Sequence, residues 1–468
     1  MGVWLDRGLV LAYIAVLIWM GLRDRKRMQN AGDFTASGNR YSAPVIFATL
    51  AASYIGGGYS SGNAAAAFEH GISTTLTLFG FSVSMIFVGA VLVKGVKRFE
   101  GCSGVGGVIG QCYGNAARMV AGVFSFICCV GVVGAQVETM GLVFRSLFGI
   151  PAWVGSTLGC AVVVFYSTFG GLQSVIAADI TQFALLAVGM PLLLVCGLHA
   201  AGGVGEVLTS VPPSHFDPFG GTTPAGFISM VLTMMFGEML APPYMQRLLI
   251  GKNLRATARG TVASGLFSIP FFMITCLIGL TAYALNVTAD PNAAMPSLML
   301  RVLPTGLRGI VMAAMVSIMM SASDSFLNGA AVGLVSDVIR PLFPKLPDRT
   351  ELRLLQWCNA LIGIGALMLA FAVPNVFDIL VIAYSFWSPI IVVPLVAALL
   401  GVRSNGRAFR YAVATGFLMT VTWNYLLGKP FGIDGAPVGM LANALVFAVY
   451  TVRLYRYRRQ QIRVWEID

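Results

Sequence analysis

The sequence predicts an all-α polytopic membrane protein. Of its 468 residues, 57% are hydrophobic and 10% are charged, with a mean hydropathy of +0.81. A soluble chain carries roughly 25% charged residues. The apolar residues fall in long runs, and a spanning helix needs about 20 of them in succession. The basic residues, which give a net charge of +11, sit in short clusters between those runs, as a topology signal does.

Thirteen runs are long enough to span: 6–22, 43–68, 74–95, 117–147, 151–170, 174–198, 224–246, 260–285, 307–337, 354–372, 375–400, 410–427 and 436–452. The first is followed by Arg23-Asp24-Arg25-Lys26-Arg27, a stop-transfer flank and not the small-residue cleavage site of a signal peptide. The second contains Gly56-Gly57-Gly58, and each glycine in a helix interior costs about 1 kcal/mol against alanine. In the seventh, Pro242-Pro243 must break the helix. The intervening loops are too short for a soluble domain, and Pro212-Pro213 and Asp290-Pro291 read as turns. One transmembrane domain, 1–468, is therefore expected. Basic clusters at 23–27 with Arg40, 94–98, Arg118, 247–259, 340–353, 403–410 and 453–459 land on one face. Only Arg7, Arg145, Arg301, Arg308 and Lys429 fall on the other. This pattern predicts a multi-pass protein of the cell (inner) membrane, with the N-terminus outside and the C-terminus cytoplasmic. The basic, aromatic tail 453–468 reads as an anchor at anionic lipid, not as a nucleic-acid site. The eight cysteines fall mainly in apolar runs, with none at 199–222 or 288–306, so no disulfide framework is expected.

Two polar interruptions inside apolar runs carry the chemistry. Polar or unwound backbone at membrane depth is stable only when buried in protein or lining a wet cavity. An unwound turn at Gly56-Gly57-Gly58 frees carbonyls for a cation, and the half-helix beyond offers amides to an anionic group. The alternative is close helix packing through small residues. Tyr54 and Tyr59 flank the break and offer rings or hydroxyls to a ligand. In the ninth run, Ser321, Asp324 and Ser325 lie at i, i+3 and i+4 and share a helix face. Their oxygens suit a hard cation such as sodium, and Asn328 continues that face.

Asp179, at the start of the sixth run, either complements the helix dipole or completes a cation site. Glu138, in Gly134-Ala135-Gln136-Val137-Glu138, and Glu238, in Phe236-Gly237-Glu238 before Ala241-Pro242-Pro243-Tyr244, are the other intramembrane acids. They either face a positively charged substrate or serve as structural carboxylates, Arg145 being one possible partner. Gln136, Gly57 and Tyr244 join them as candidate substrate residues, with Tyr384 and Trp387 as candidate gate residues. His70, His199 and His215 are placed in solvated external loops or span ends. With no HExxH, no GxSxG and no intramembrane histidine to act as a base, an enzyme is not expected.

These motifs together resemble the sodium:solute symporter family over nearly the whole chain. The residues that carry the resemblance are Asp33-Phe34 to Gly38, Tyr166-Ser167-Thr168-Phe169-Gly170-Gly171-Leu172 before Asp179, Gln246-Arg247, Met320-Ser321-Ala322-Ser323-Asp324-Ser325, and Asp337-Val338-Ile339-Arg340-Pro341. Ile55-Gly56-Gly57-Gly58-Tyr59 looks most like the choline-transporter branch. The resemblance implies a leucine-transporter-type fold of five plus five inverted helices. The repeats would be 43–198 and 224–400, with extra helices at 6–22 and within 410–452. It implies a main sodium site from the carbonyls of Ala52, Ile55 and Ile318 and the Ser321 hydroxyl, with Ala322 where a second hydroxyl is usual. It implies a second cation site at Asp179, Ser321, Asp324 and Ser325. An aromatic cage for a quaternary ammonium would include Tyr54 and Phe81, but its tryptophan in the seventh run is replaced around Ala241-Pro242-Pro243.

The expected function is sodium-coupled import of a small amine-bearing or zwitterionic solute by alternating access, by a monomer or weak homo-oligomer in the lipid bilayer. Proton coupling through Asp179 or Asp324 is the alternative. A transporter-like solute sensor is a further one, against which the short tail after Val452 argues.

Overall fold

The computed structural model describes residues 2–24, 32, 34, 40–373 and 376–465. Residues 25–27 of the first basic cluster, the 33–38 motif apart from Phe34, and 466–468 lie outside them. Among the described residues the only β-pairing is an isolated bridge between Tyr41 and Gly251. Everything else regular is helical, as apolar segments must be where no water can bond the backbone.

Besides short helices between the predicted runs, such as Val105–Tyr113 and Ala294–Val302, the chain forms helices that overlap those runs. They are α1 (Gly2–Asp24), α2 (Ala43–Tyr54), α3 (Asn63–His70), α4 (Ser73–Phe87), α5 (Asn115–Phe148), α6 (Ala152–Ala200), α7 (Pro224–Gly237) and α8 (Pro242–Leu249). They continue with α9 (Leu254–Ala284), α10 (Leu307–Leu334), α11 (Asp348–Ala372), α12 (Val376–Ser385), α13 (Val393–Leu400), α14 (Gly406–Val421) and α15 (Gly435–Trp465). Among the described residues, nine helices are long and apolar enough to cross a membrane, or ten if the bent pair α7 and α8 counts as one.

Two runs read as separate spans join end to end. The 49 residues of α6 cover about 74 Å, roughly twice one bilayer crossing. The helix is interrupted where the fifth and sixth runs meet, at Gly171 with φ 58° and ψ −177°, a conformation open to glycine and strained for other residues. Asp179 lies two turns beyond this kink and is fully buried. It is therefore an interior residue, and its reading as an N-terminal-turn acid complementing a dipole is overturned.

Both predicted helix breaks are present. α2 ends at Tyr54, and a π-helical turn, Gly58–Gly62, leads into α3. Between α7 and α8 the axis bends by 48°, with Leu240 at φ 56° and the proline pair opening α8 at the first helical positions, where a missing N–H costs nothing. By contrast, α10 runs unbroken through Ser321 to Ser325. The second polar interruption is a change of side chains on an intact helix, not an unwinding.

α10 is the centre of the molecule, buried along almost its whole length and packed against α1, α5, α6, α11 and α2. Large apolar side chains such as Trp19, Val188, Trp357 and Leu441 point outward on α1, α6, α11 and α15, as lipid-facing helices require. His215 departs from expectation. It is buried in its loop, its ring nitrogen lies 3.1 Å from the Phe68 carbonyl, and its ring centroid lies 4.8 Å from that of Tyr283 with the planes tilted by 51°.

Candidate functional site

The break after α2 releases backbone from the helical ladder. In a continued helix the amides of Gly56 and Gly57 would bond to the carbonyls of Ala52 and Ser53. Instead Gly56 N–H donates to the Tyr54 carbonyl at 2.8 Å and Gly57 N–H to Gln136 Oε1 at 2.5 Å. Gln136, a candidate substrate residue, is thus committed to holding the break open. The glycines also answer to packing: a Cβ at Gly56 would lie 2.6 Å from the Gln136 amide, at Gly57 2.5 Å from Thr139 Oγ1, and at Gly58 2.3 Å from Leu380 Cδ1. Close approach and unwinding, posed as alternatives from sequence, hold together.

Below this break, four of the predicted cation ligands converge. Ser321 donates to Asp179 Oδ1 at 2.5 Å, and Thr49 donates to Asp179 Oδ2. Ser325 lies 3.4 Å from Asp324 Oδ1 and 3.0 Å from Ser53. Tyr166 donates to Asp324 Oδ2 at 2.8 Å. Asp179, Ser321, Asp324 and Ser325 are fully buried, so their polar atoms depend on one another. Ile318 is buried one turn before Ser321 on α10. Asn328, one turn beyond Asp324, is buried too, and neither its amide oxygen nor its nitrogen has a partner among the described residues.

The sequence reading missed the residue at the heart of this network. Arg247, assigned to the cytoplasmic basic cluster 247–259, is fully buried and points into the site. Its Nη2 donates to Asp179 Oδ2 at 3.0 Å and to Ser325 at 2.6 Å, its Nε to Thr49 at 3.0 Å and its Nη1 to the Pro243 carbonyl at 3.0 Å. An arginine four residues past a proline pair gives no sequence signal that separates it from a topology charge. Thr49, one turn before Ser53 on α2, was legible by spacing and was also missed. Two carboxylates against one guanidinium leave the site one formal negative charge.

A second cluster surrounds Glu238, which is 2% exposed at the bend between α7 and α8. Tyr384 donates to its Oε1 at 2.6 Å, and Tyr244 donates to its Oε2. The Tyr59 hydroxyl lies 3.0 Å from that of Tyr384. Ring centroids of Tyr54 and Phe81 are 4.8 Å apart, of Tyr59 and Phe81 5.3 Å, of Tyr59 and Phe272 5.5 Å, and of Tyr244 and Phe326 5.8 Å. Trp387 is fully buried and donates from Nε1 to the Met239 carbonyl at 3.0 Å. Predicted substrate residues Tyr54, Tyr59, Phe81, Glu238 and Tyr244 thus form one aromatic and acidic wall, with Tyr384 added. Glu138 stands apart: it is half-buried, with no hydrogen bond or ion pair to Arg145 or any other described residue.

Broken apolar helices around a buried, hydroxyl-rich carboxylate site define a polytopic membrane protein of the transporter kind. Comparison with known proteins gives the family. The model of the sodium:solute symporter family matches residues 34–413, and the chain belongs to that family. It is 24% identical over 402 residues to the high-affinity choline transporter 1 of Drosophila melanogaster, covering 81% of this chain and 63% of that one. The chain thus spans under two thirds of the fly protein. It is 23% identical over 469 residues to the sodium/pantothenate symporter of Escherichia coli (strain K12), covering 94% and 95%. Its fold is similar to that of a Na+-coupled sialic acid symporter solved in a substrate-bound, outward-open state, with a TM-score of 0.84 and 16% identity over 96% of this chain and 97% of that one.

Proposed function

We propose that this protein imports a small amine-bearing or zwitterionic organic solute together with sodium, by alternating access. The fold would comprise thirteen crossings, with two inverted five-helix repeats, 43–198 and 224–400, inside one domain. The observation that carries the reading is the buried site of Asp179, Ser321, Asp324 and Ser325 beneath the broken α2. Its hard oxygen donors and one uncompensated negative charge match one monovalent cation. The released Ala52 carbonyl lies on the same break. The Glu238 wall is the solute end: a carboxylate held by Tyr244 and Tyr384, with the rings of Tyr59, Phe81 and Tyr54 continuing the wall, attracts an ammonium through charge and ring faces alike. The unpaired Asn328 amide extends the polar face of α10 one turn toward its basic end and provides the next oxygen for an ion leaving inward.

In this reading, sodium binding orders the Gly56–Gly58 break and raises solute affinity, and the coupling is reciprocal. The inward potential adds about 2.3 kcal/mol per charge per 100 mV. The test is uptake into liposomes of a panel of amine-bearing and neutral solutes under an inward sodium gradient. Sodium-dependent accumulation of an ammonium-bearing solute is expected, and equal uptake in potassium refutes sodium coupling. Ala322, which removes a hydroxyl from the α10 face, and the pair of buried carboxylates favour a second reading, proton coupling. Under it a pH gradient alone drives uptake.

A further inference from the structure

We propose that Arg247 is a tethered counter-cation that holds the ion site when the transported ion is absent, so that guanidinium and ion bind there in alternation. This rests on the reading of Asp179 and Ser325 as ion ligands. The contested contacts belong to a single atom. Arg247 Nη2 makes both the 3.0 Å bond to Asp179 Oδ2 and the 2.6 Å bond to Ser325 Oγ. These are two of the four side chains that the cation needs, and a guanidinium has no acceptor with which to share them. The other two nitrogens are anchored elsewhere: Nε on Thr49 and Nη1 on the carbonyl of Pro243, on the arginine's own helix. Arrival of an ion therefore requires the planar guanidinium to tilt about its anchored Nε and Nη1, carrying Nη2 off its partners, not the departure of the arginine. The pivot keeps the positive charge close, and the formal charge of two carboxylates, one arginine and one ion is zero.

The position in the fold gives the exchange its consequence. Through Arg247, α8 is tied to α2 at Thr49, to α6 at Asp179 and to α10 at Ser325, with every side chain buried. A buried carboxylate with no partner is strongly destabilising. With Nη2 in place, Asp179 stays paired while the ion-free carrier makes its return step. With the ion in place, the tie between α8 and the two carboxylate-bearing helices is cut, and the inner half is released to open.

The test is thermal unfolding of the purified full chain titrated with sodium against potassium at constant ionic strength, for wild type, Arg247→Gln and Arg247→Lys. Competition predicts that Arg247→Gln unfolds at lower temperature without sodium, yet needs about tenfold less sodium for half-maximal stabilisation, the equivalent of losing one charge-assisted hydrogen bond from the competitor. Arg247→Lys, which keeps the charge but not the fork, falls between. It also carries the test if the glutamine variant does not fold. A folded variant that needs as much sodium as wild type, or more, overturns the proposal and makes Arg247 a brace or a helper of the ion. A wild type that responds alike to sodium and potassium overturns the sodium reading on which the proposal rests, and no variant is needed to see it.

Discussion

The triple glycine yields a prediction that separates packing from flexibility. A Cβ at Gly58 would meet only Leu380, at 2.3 Å from Cδ1 and 3.6 Å from Cγ. Carbon atoms settle at about 3.5–4.0 Å, so Gly58→Ala must push that methyl aside by roughly 1.2 Å or more. Overpacking of this kind costs about 1–3 kcal/mol, offset in part by the better helix propensity of alanine, up to about 1 kcal/mol. Leu380 is 3% exposed, and Leu380→Ala alone costs about 2–5 kcal/mol through its cavity. In the double variant the methyl introduced by Gly58→Ala enters the space that Leu380 vacated. The pair should be less destabilised than the sum of the singles by about 1–3 kcal/mol, and uptake lost in Gly58→Ala should partly return. Reversible denaturation in detergent, with all four proteins in one sodium buffer, measures the coupling. Additivity within about 0.5 kcal/mol would show that Leu380 does not dictate the glycine, and the steric argument would fail.

Other predictions follow from the site and the loops. Glu238→Gln keeps an acceptor for Tyr384 but removes the charge, so affinity for an ammonium-bearing solute should drop about tenfold or more while a neutral analogue is unaffected. Equal losses for both would assign Glu238 a structural role. In the loop after α6, the backbone amides of Gly221 and then Phe219 hold the Asp217 carboxyl below its ordinary range. Because the folded value is lowered, its contribution is complete above about pH 4 and is lost as pH falls through the folded value. Protection of those two amides from hydrogen exchange, corrected for intrinsic rate, should stay flat from pH 7 to 5. A fall within that window refutes the turn. Burial, with the Asp337 charge second, pushes the Cys102 thiol up to about 11. In a variant keeping only this cysteine, alkylation should accelerate about tenfold per pH unit between pH 7 and 9. A plateau below pH 9 contradicts the buried environment.

Local chemistry was legible and tertiary partnership was not. Pro242-Pro243 and Gly56-Gly57-Gly58 announce helix breaks because proline lacks a donor and glycine pays in backbone entropy, whatever surrounds them. Ser321, Asp324 and Ser325 declare a shared face through helical spacing alone. Arg247 hid because a buried arginine and a topology arginine look alike at the end of an apolar run; only the fold shows its four acceptors. Glu138 and Glu238 read as equals for the same reason, yet one is half-buried without a partner among the described residues and the other is held by two tyrosines. α10 keeps the intact helix that the spacing of Ser321, Asp324 and Ser325 implies, and neighbouring side chains supply the partners that its polar face needs at depth.

The β-bridge between Tyr41 and Gly251 has a consequence for how this protein tolerates change. Arg40 and Tyr41 donate to the Ile250 carbonyl at 3.0 and 3.2 Å, and Lys252 donates to the Tyr41 carbonyl at 2.8 Å. These bonds fasten the entry of α2 to the exit of α8, and all of them run through main-chain atoms. The fastening is therefore blind to side-chain identity: residues 40, 41 and 252 can drift through every amino acid but one without loosening it. Proline alone, having no N–H to give, would remove one of the three bonds at whichever position it took, leaving the other two and the Arg247–Thr49 bond to hold α8 against α2.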